Sequence, residues 1–198
     1  ISSTVYPNKK KIFKETDVNY KFYEKYFIVG WMKLFSEKMC KMYSEKIKNV
    51  METLVVRPSN LYGPYDKFEP KLSKVIPSLI VKGLSSERYL NVWGDGKDVK
   101  DFLYIEDFIE GLLYSFTKKK LKIVNISSGI SVSLRRIIKI IISNTNRKLI
   151  PKFQKNQPSM IQYRKISNKL IKKSTKWMPK VSLKDGIIHT INWYKNNH

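Results

Sequence analysis

Arg57-Pro-Ser-Asn-Leu-Tyr-Gly-Pro64 is the stretch from which the fold of this chain is predicted. It follows a short apolar and β-branched run, 53–56, of the kind that forms a buried strand. A second apolar run, 75–84, comes after it at helical spacing. A polar loop that leaves a buried parallel strand is where α/β folds bind their ligands. The pattern therefore predicts an α/β protein with a loop over 57–64 and a ligand site beside that loop.

Length and composition narrow the class of protein. The chain has 198 residues, of which 42% are hydrophobic, and this is enough for a packed core. No apolar run approaches the roughly 18 residues that span a bilayer, and the first residues lack the basic-then-apolar pattern of a signal peptide. Cys40 is the single cysteine, which fits a reducing compartment. We therefore predict a cytoplasmic protein that does not bind membranes.

The net charge of +23 raises the alternative of a nucleic-acid-binding protein, because basic side chains release counterions from phosphate backbones. Only six of the 39 basic residues are arginine, the residue that recognises bases and phosphates with two parallel hydrogen bonds. The lysines are spread along the whole chain, and no helix-turn-helix, zinc-finger or RNA-recognition motif is visible. The charge is therefore interpreted as a lysine-rich surface, and nucleic acid is an unlikely partner.

Periodicity predicts the remaining elements. Residues 1–6 are interpreted as the end of a strand that begins before residue 1, and 8–27 as a loop with an irregular helical start. A helix is predicted from Trp31 to about Ile47, with an apolar stripe on one face. Gly94-Asp-Gly96 predicts a tight hairpin turn. Further strands are predicted at 89–93, 100–105, 121–127 and 149–153, and further helices at 106–116, 133–143 and 182–194.

Three motifs resemble those of a known protein family and occur in the same order along the chain. They are Ser2-Ser-Thr-Val-Tyr-Pro7, Asn60-Leu-Tyr-Gly-Pro64 with Val75-Ile-Pro77, and the string Val92-Trp-Gly-Asp-Gly that continues to Lys100-Asp-Phe-Leu-Tyr-Ile-Glu-Asp107. The chain resembles the NAD-dependent epimerase/dehydratase family, the extended short-chain dehydrogenases, and most closely its GDP-L-fucose synthase-like enzymes. The glycine-rich dinucleotide motif of that family is not in this sequence, and it lies upstream of the Ser2 motif in the family.

The resemblance implies the C-terminal part of a doubly wound Rossmann-type NAD(P)-binding domain and a smaller α/β substrate domain. Residues 1–57 would belong to the first. Residues 58–198 would belong mainly to the second, with about 98–130 returning to the Rossmann domain. The implied activity is that of an NAD(P)-dependent epimerase or reductase, which transfers a hydride at a ring carbon of a nucleoside-diphosphate sugar. The cofactor would be NAD or NADP.

The resemblance also implies catalytic residues. Ser2 would hydrogen-bond the sugar oxygen that is oxidised or reduced, Thr4 would lie close to the sugar ring, and Lys33 would bind the nicotinamide ribose. Four residues before Lys33 the family has a tyrosine, whereas this chain has Val29, and the neighbouring Tyr26 is two helical turns away from Lys33. Three interpretations stay open: an inactive homologue that acts as a binding or assembly partner, a sequence error, or an unusual active site.

Substrate contacts follow from the same motifs. Pro58 and Asn60 would contact the cofactor, and Asn60 would also contact the substrate. Four further residues would bind the nucleotide sugar by resemblance, namely Lys82, Trp93, Lys100 and Arg164. Thr4 and Lys74 stand where the GDP-L-fucose synthase-like enzymes have the cysteine and histidine of epimerisation.

Two further expectations concern partners and metals. Relatives pair through the helix that contains Met32 and Met39 here, so a homodimer is implied. No metal site is predicted, since His189 and His198 lie far from any cluster of cysteines or carboxylates at ligand spacing.

Overall fold

The computed structural model describes residues 2–118, 120–145, 148–157 and 161–198. Ile1, the first residue of the predicted strand end, lies outside this part. The helices are α1 (Phe27–Glu45), α2 (Val75–Ser85), α3 (Ile105–Phe116), α4 (Leu134–Ser143), α5 (Lys169–Thr175) and α6 (Leu183–Asn197). The strands are β1 (Ile12–Phe13), β2 (Val55–Pro58), β3 (Asn60–Tyr62), β4 (Tyr89–Trp93), β5 (Val99–Tyr104), β6 (Ile123–Ile126), β7 (Ser131–Ser133), β8 (Ile150–Gln154) and β9 (Tyr163–Ile166). Two 3-10 turns, Ser3–Val5 and Glu24–Tyr26, precede α1.

Parallel pairing dominates the sheets of the described residues. The central sheet has the order β1-β9-β5-β3 with parallel neighbours, and β7 pairs antiparallel with the first half of β5. β2 pairs in parallel with β6, and β4 pairs in parallel with β8. Parallel strands need crossover connections, and helices supply several of them here. The architecture is therefore mixed α/β, as the sequence predicts.

Three apolar clusters form the core. The largest lies between β4 and β5 on one side and α2, α4 and α6 on the other, and Ile80, Leu90, Ile138 and Ile187 are among its buried members. A second cluster packs Val124 and Ile126 of β6 against Trp177. The third joins the first 3-10 turn to the central sheet through Val5, Tyr6, Phe13 and Ile166. Across the described ranges, no helix combines the length and the apolar character that a membrane crossing requires.

Helix α1 begins at Phe27, four residues earlier than predicted, and ends at Glu45. Its inward face carries Gly30, Leu34 and Glu37, all buried. The predicted apolar stripe lies on the opposite face, where Met32 is 63% exposed. Gly30 permits a close approach to the preceding segment, because a Cβ atom there would lie 2.6 Å from the ring of Phe22. The helix thus packs through a narrow face and presents its apolar stripe outward.

Several local predictions are confirmed to the residue or nearly so. Strand β4 has the predicted bounds, and α2 exceeds its prediction by one residue. Helix α4 also begins where predicted, because the Ser133 hydroxyl accepts a hydrogen bond from the Arg136 amide at 3.4 Å and so caps the first turn. These elements have strong local signals in the sequence: alternation in the strand, and caps or periodicity in the helices.

Other local predictions are wrong, each for a physical reason. The predicted strand end over 1–6 is a 3-10 turn at Ser3–Val5, flanked by extended residues, and the Ser2 hydroxyl accepts a hydrogen bond from the Thr4 amide at 3.3 Å. The predicted loop 57–64 is partly strand, since Asn60–Tyr62 pairs with β5. The hairpin after Trp93 is absent from the described structure. Gly94 and Gly96 do adopt positive φ, but β4 pairs with β8 instead of β5.

Candidate functional site

A cleft of about 640 Å³ lies beside one face of the central sheet, between β3, β5, α2 and the end of β4. This volume is within the usual range for small-molecule and cofactor sites, about 300–1,000 Å³. Four of the residues predicted to bind substrate line it, namely Asn60, Lys82, Trp93 and Lys100. Tyr26 and Lys74 also line it. We refer to this space as the cleft.

The floor of the cleft is built from neighbouring strands of the sheet. Asn60 on β3 is in register with Phe102 on β5, and both line the cleft together with Lys100. Residues two apart on a strand share a face, so Lys100 and Phe102 point to the same side. The Asn60 side-chain amide donates a hydrogen bond to the Asp101 carbonyl oxygen at 2.8 Å. This bond holds the amide of Asn60 in one orientation at the floor.

Lysines give the cleft its positive charge. Lys82 lies in the last turn of α2, and its Nζ is 6.0 Å from the centre of the Trp93 ring. Lys100 is half-buried on β5, with its Nζ 3.4 Å from an Asp98 carboxylate oxygen. Lys74 is exposed and stands directly before α2. Lys74 also has a carboxylate neighbour, since its Nζ is 4.0 Å from an Asp66 oxygen. Three lysines against these two carboxylates leave a positive balance around the cleft, which favours an anionic ligand.

Trp93 forms an exposed aromatic surface at the mouth of the cleft. It is the last residue of β4 and is 58% exposed. β4 alternates between exposed and buried side chains, so Leu90 and Val92 anchor the strand in the core while Trp93 faces outward. An exposed indole beside a lysine is suited to stack on a planar ring such as a nucleobase.

The catalytic residues implied by the resemblance lie elsewhere. Among the described residues, the lining of the cleft does not include Ser2, Thr4, Lys33 or Pro58. Ser2 and Thr4 belong to the first 3-10 turn, which packs against α1. The Thr4 hydroxyl is buried, and no atom in the described part of the chain forms a hydrogen bond with it. Lys33 is half-buried on α1, and Val29, one turn before it, is 40% exposed.

A buried ion pair fixes α1 against the sheets. Arg57 on β2 donates from Nε to Glu37 Oε1 at 2.8 Å and from Nη2 to Glu37 Oε2 at 2.6 Å. Its Nη1 donates to the Tyr6 hydroxyl at 3.0 Å and to the Glu15 carbonyl oxygen at 2.7 Å. The Tyr6 hydroxyl in turn donates to Asn125 Oδ1 at 2.6 Å. This network joins the first 3-10 turn, α1, β2 and β6.

Arg164, a predicted substrate contact, is also outside the cleft lining. It lies on β9, is 3% exposed, and donates from Nη1 to the Pro7 carbonyl oxygen at 3.1 Å. Its guanidinium carbon is 5.0 Å from the centre of the Phe13 ring. The other two guanidinium nitrogens, Nε and Nη2, have no hydrogen-bond partner among the described residues. Burial lowers the pKa of this arginine to about 10.

Some lining residues could not be found from the sequence. Phe68 and Leu134 give the cleft apolar walls, yet nothing in the sequence singles out either as a ligand contact, although Phe68 lies between the motifs Asn60–Pro64 and Val75–Pro77. Phe68 comes from the segment between β3 and α2, and its position depends on ring contacts with Trp193 and Tyr194 of α6. Only the tertiary fold brings these residues to the cleft.

The chain is similar in sequence to proteins of a known family. The sequence model of the NAD-dependent epimerase/dehydratase family matches residues 1–127, which is more than half of the chain. The chain belongs to the NAD-dependent epimerase/dehydratase family. This epimerase/dehydratase chain is 29% identical over 172 residues to the probable GDP-L-fucose synthase 1 of Oryza sativa subsp. japonica, covering 83% of this chain and 51% of that protein.

It is also 31% identical over 199 residues to GDP-mannose 3,5-epimerase 1 of Oryza sativa subsp. indica, covering 98% of this chain and 51% of that protein. The chain thus spans about half the length of the curated relatives that it matches.

Solved structures show the same fold. A GDP-L-fucose synthetase from Naegleria fowleri superimposes with a TM-score of 0.89 at 20% identity, over 100% of this chain and 64% of that one. UDP-glucose 4-epimerase from Thermotoga maritima superimposes with a TM-score of 0.81 at 22% identity, over 99% of this chain and 62% of that one. The predicted fold class is therefore confirmed as mixed α/β with parallel sheets and a Rossmann-like fold.

Proposed function

We propose that this chain is part of an NAD(P)-dependent nucleotide-sugar epimerase or reductase, and that the cleft binds a nucleoside-diphosphate sugar. The observation that carries the proposal is the convergence of Asn60, Lys82, Trp93 and Lys100 on one cleft of about 640 Å³. These residues come from four different elements, β3, α2, β4 and β5. The family to which the chain belongs and the names of its relatives support the same reaction class.

The chemistry of the cleft matches the parts of such a ligand. Lys82 and Lys100 would supply two positive charges to a diphosphate that carries two negative ones, and Lys100 would share its charge with the Asp98 carboxylate 3.4 Å away. Lysine lacks the bidentate geometry of arginine, so these contacts rest on charge more than on direction. Trp93 offers its ring face to the base. Asn60 and Lys74 supply a hydrogen-bonding amide and an amine for the sugar.

Four of the predicted residues that lie outside the cleft lining would hold the nicotinamide cofactor, NAD or NADP. They are Ser2, Thr4, Lys33 and Pro58. Ser2 and Thr4 lie in the turn that packs against α1, the helix that carries Lys33. The buried and unpartnered hydroxyl of Thr4 fits a ligand with hydroxyl groups, since buried hydroxyls are normally hydrogen-bonded. Pro58 ends β2 two residues before Asn60 and would form the link to the cleft. The bound nicotinamide would supply the hydride donor or acceptor.

Three further proposals concern the domain organisation, the oligomeric state and the cellular location. Residues 1–57 would form the cofactor side and 58–198 mainly the substrate side, and the pairing of β2 with β6 supports a return of about 98–130 to the first part. A homodimer would form through the exposed stripe of α1 around Met32 and Met39. A cytoplasmic location would suit the free thiol of Cys40.

Ligand-dependent thermal unfolding tests the proposed function. GDP-mannose, GDP-L-fucose and UDP-glucose are titrated against the chain at about 0.05 and 0.5 M salt. Saturable stabilisation by at least one of them is expected, and it should weaken at high salt because exposed charge contacts are screened. Lys82→Ala and Lys100→Ala should each weaken binding about tenfold or more, the effect of losing one charge-assisted contact.

Lys139→Ala is the matched control. Lys139 is exposed on α4, so the variant removes the same charge without touching the cleft. It should bind like the unmodified chain. Equal losses in all three variants would indicate a general charge effect and contradict the proposal. Absence of stabilisation by every nucleotide sugar would overturn it.

A further inference from the structure

Two connections lie side by side at the amino end of β2, whereas the cleft lies beyond its carboxyl end. One connection, 46–54, joins α1 to β2, and the other follows α3 and leads into β6. The Val55 amide donates to the Lys122 carbonyl oxygen at 2.9 Å, and β2 and β6 then continue as parallel neighbours. Asn60, two residues past the end of β2, lines the cleft. A ligand at one end of β2 would therefore not reach the other end.

Three apolar side chains project from this end of the molecule. Phe116, the last residue of α3, is 77% exposed, and Val50 and Met51 are 65% and 59% exposed. The Met51 amide donates to the Tyr43 carbonyl oxygen at 2.9 Å and so holds the first connection against the end of α1. Glu52, the next residue, and Phe116 line the same small cavity, so the apolar side chains are close to one another. Neighbouring apolar side chains this exposed are typical of a contact surface.

Lysines accompany these apolar side chains. The sequences 46–54 and 117–122 contain six lysines, one glutamate and no arginine. The lysines that the structure describes here are all exposed, namely Lys46, Lys48, Lys118, Lys120 and Lys122. We refer to these five lysines together with Val50, Met51 and Phe116 as the basic tip. A nucleotide sugar in the cleft would not contact them, so the proposed function does not account for this group of charges.

The shape and chemistry of the basic tip favour a flat, anionic partner. The cavity lined by Leu54, Phe116 and Leu121 is about 40 Å³, far below the range of about 300–1,000 Å³ that ligand pockets have. It therefore offers no socket for an anchoring side chain of a protein partner. A lipid surface needs no socket, since apolar side chains enter the headgroup layer and lysines lie against its anionic groups. Nucleic acid fits less well, because Val50 and Met51 have no ring to stack on a base.

We propose that the basic tip binds the surface of an anionic lipid membrane. Val50, Met51 and Phe116 would enter the headgroup layer, and the lysines would lie against the phosphates and carboxylates of the lipids. The sequence predicts no membrane partner because no apolar run is long enough to span a bilayer, but a surface contact does not require such a run. The cleft would remain open to its ligand, so this inference is independent of the proposed function.

Co-sedimentation with lipid vesicles tests the proposal. The chain is mixed with vesicles of phosphatidylcholine alone or with about one-third phosphatidylserine, at about 0.1 and 0.5 M salt. At the lower salt concentration, binding to the serine-containing vesicles should be roughly tenfold tighter or more. Most of this difference should disappear at the higher concentration, because charge contacts are screened. Equal binding to both kinds of vesicle, or binding to neither, would overturn the proposal.

The apolar contact is tested by Phe116→Ser and Met51→Ser. Each should weaken binding to the anionic vesicles about tenfold, since each removes an apolar side chain from the headgroup layer. Ile130→Ser is the matched control, because Ile130 is 69% exposed and follows the carboxyl end of β6, away from the basic tip. Thermal unfolding verifies that all three variants fold. Unchanged binding in both tip variants, or the same loss in the control, would contradict insertion at this surface.

The charge contact is tested by the double variant Lys118→Glu, Lys122→Glu. Binding should weaken on the order of 100-fold, because each lysine near an anionic surface contributes about fivefold and each new glutamate is repelled. The double variant Lys139→Glu, Lys195→Glu changes the net charge equally on α4 and α6, and it should retain most of the binding. Equal losses in both double variants would indicate a general attraction of a basic protein and contradict a specific tip.

Two further measurements separate the alternatives. A single-stranded oligonucleotide should bind the tip variants and the unmodified chain alike. If it binds the chain tightly and Phe116→Ser abolishes that binding while vesicles do not bind, the basic tip is a nucleic-acid site and the proposal is wrong. Stabilisation by nucleotide sugars should be the same in all tip variants, so a failure of the membrane contact is distinguishable from a failure of the proposed function.

Discussion

The guanidinium of Arg57 and the carboxylate of Glu37 meet in two parallel hydrogen bonds inside the protein, at 2.8 and 2.6 Å. Both side chains are almost fully buried, with 3% and 5% of their surfaces exposed. Glu37 is on the inward face of α1, and Arg57 is on β2. The pair therefore determines how α1 is held against the strand that leads into the cleft.

Breaking this pair should destabilise the protein strongly. Glu37→Gln leaves the charge of Arg57 buried without compensation, and we expect a loss of about 3–5 kcal/mol in the free energy of unfolding. Arg57→Met should have a similar effect. The double variant Glu37→Leu, Arg57→Met should be more stable than either single variant, because no isolated charge remains. Urea unfolding measures all three, and a double variant that is no better than the singles would contradict this account.

Stacking by Trp93 should contribute to nucleotide affinity. Trp93→Ala should weaken binding of GDP or UDP by about 1–3 kcal/mol, the usual effect of losing one base–aromatic contact. Trp93→Phe keeps an aromatic face and should retain most of the affinity. Isothermal titration calorimetry compares the three proteins. Equal affinity in Trp93→Ala would show that the base binds elsewhere.

Asp101 should make stability depend on pH. Burial raises its pKa to about 6 from an ordinary value of 3.8, although the Ser128 amide hydrogen bond acts in the opposite direction. A raised pKa means that the folded state binds the proton more tightly. The stabilisation is therefore complete below about pH 4 and is lost as the pH rises through about 6.

Asp101→Asn removes this dependence. The difference in unfolding free energy between the variant and the unmodified chain should rise by about 3 kcal/mol from pH 4 to pH 7, by the usual relation between pKa and free energy. Urea unfolding at several pH values measures it. Parallel curves for the two proteins would indicate that Asp101 keeps its ordinary pKa.

The exposed stripe of α1 should control oligomeric state. Met32 and Phe35 are 63% and 65% exposed, and apolar side chains this open are typical of contact surfaces. Met32→Glu should shift a dimer toward monomer by tenfold or more in dissociation constant, since it buries a charge in an apolar interface. Lys38→Glu is the control. It changes the net charge more than Met32→Glu does, but it lies on the flank of the same helix, beside the apolar stripe. Sedimentation equilibrium would detect the shift, and a monomeric unmodified chain would refute the proposal.

Val29→Tyr separates an inactive homologue from an unusual active site. Val29 lies on the exposed surface of α1, outside the cleft, so a phenol there should leave the turnover of nucleotide sugars with NADP unchanged. A large gain in rate would mean that position 29 had lost the proton donor, and that the chain without it serves as a binding or assembly partner. The steady-state rate in the complete protein decides between the two.

How far the sequence predicts the structure depends on whether the signal is local. β4 and α4 follow from alternation and from the Ser133 cap, which act within a few residues. The pairing of β4 with β8 joins segments about 60 residues apart, and no local pattern specifies it. Asn60 was expected on a loop because its neighbours are turn formers, yet hydrogen bonding to β5 makes the segment a strand.

In the candidate site, too, some residues could be predicted from the sequence and others depend on the tertiary structure. Family motifs pointed to Asn60, Lys82, Trp93 and Lys100, and the fold brings these four together. The roles of Ser2, Thr4, Lys33, Pro58 and Arg164 stay predictions. Tyr26 comes from the irregular segment 8–27, which has no periodicity from which its direction could be inferred. The free N–H groups of Arg164 depend on what surrounds it in three dimensions.

Gly30 and Val29 are adjacent, yet they should differ sharply in mutational tolerance. Any side chain at 30 would collide with the ring of Phe22, which also packs edge-on against Trp31. Val29 projects from the outer side and meets no such obstacle. Substitutions at 29 should therefore leave the free energy of unfolding nearly unchanged, whereas any substitution at 30 should lower it. The entry of the chain into α1 thus depends on the absence of a side chain at one position and not on the nature of its neighbour.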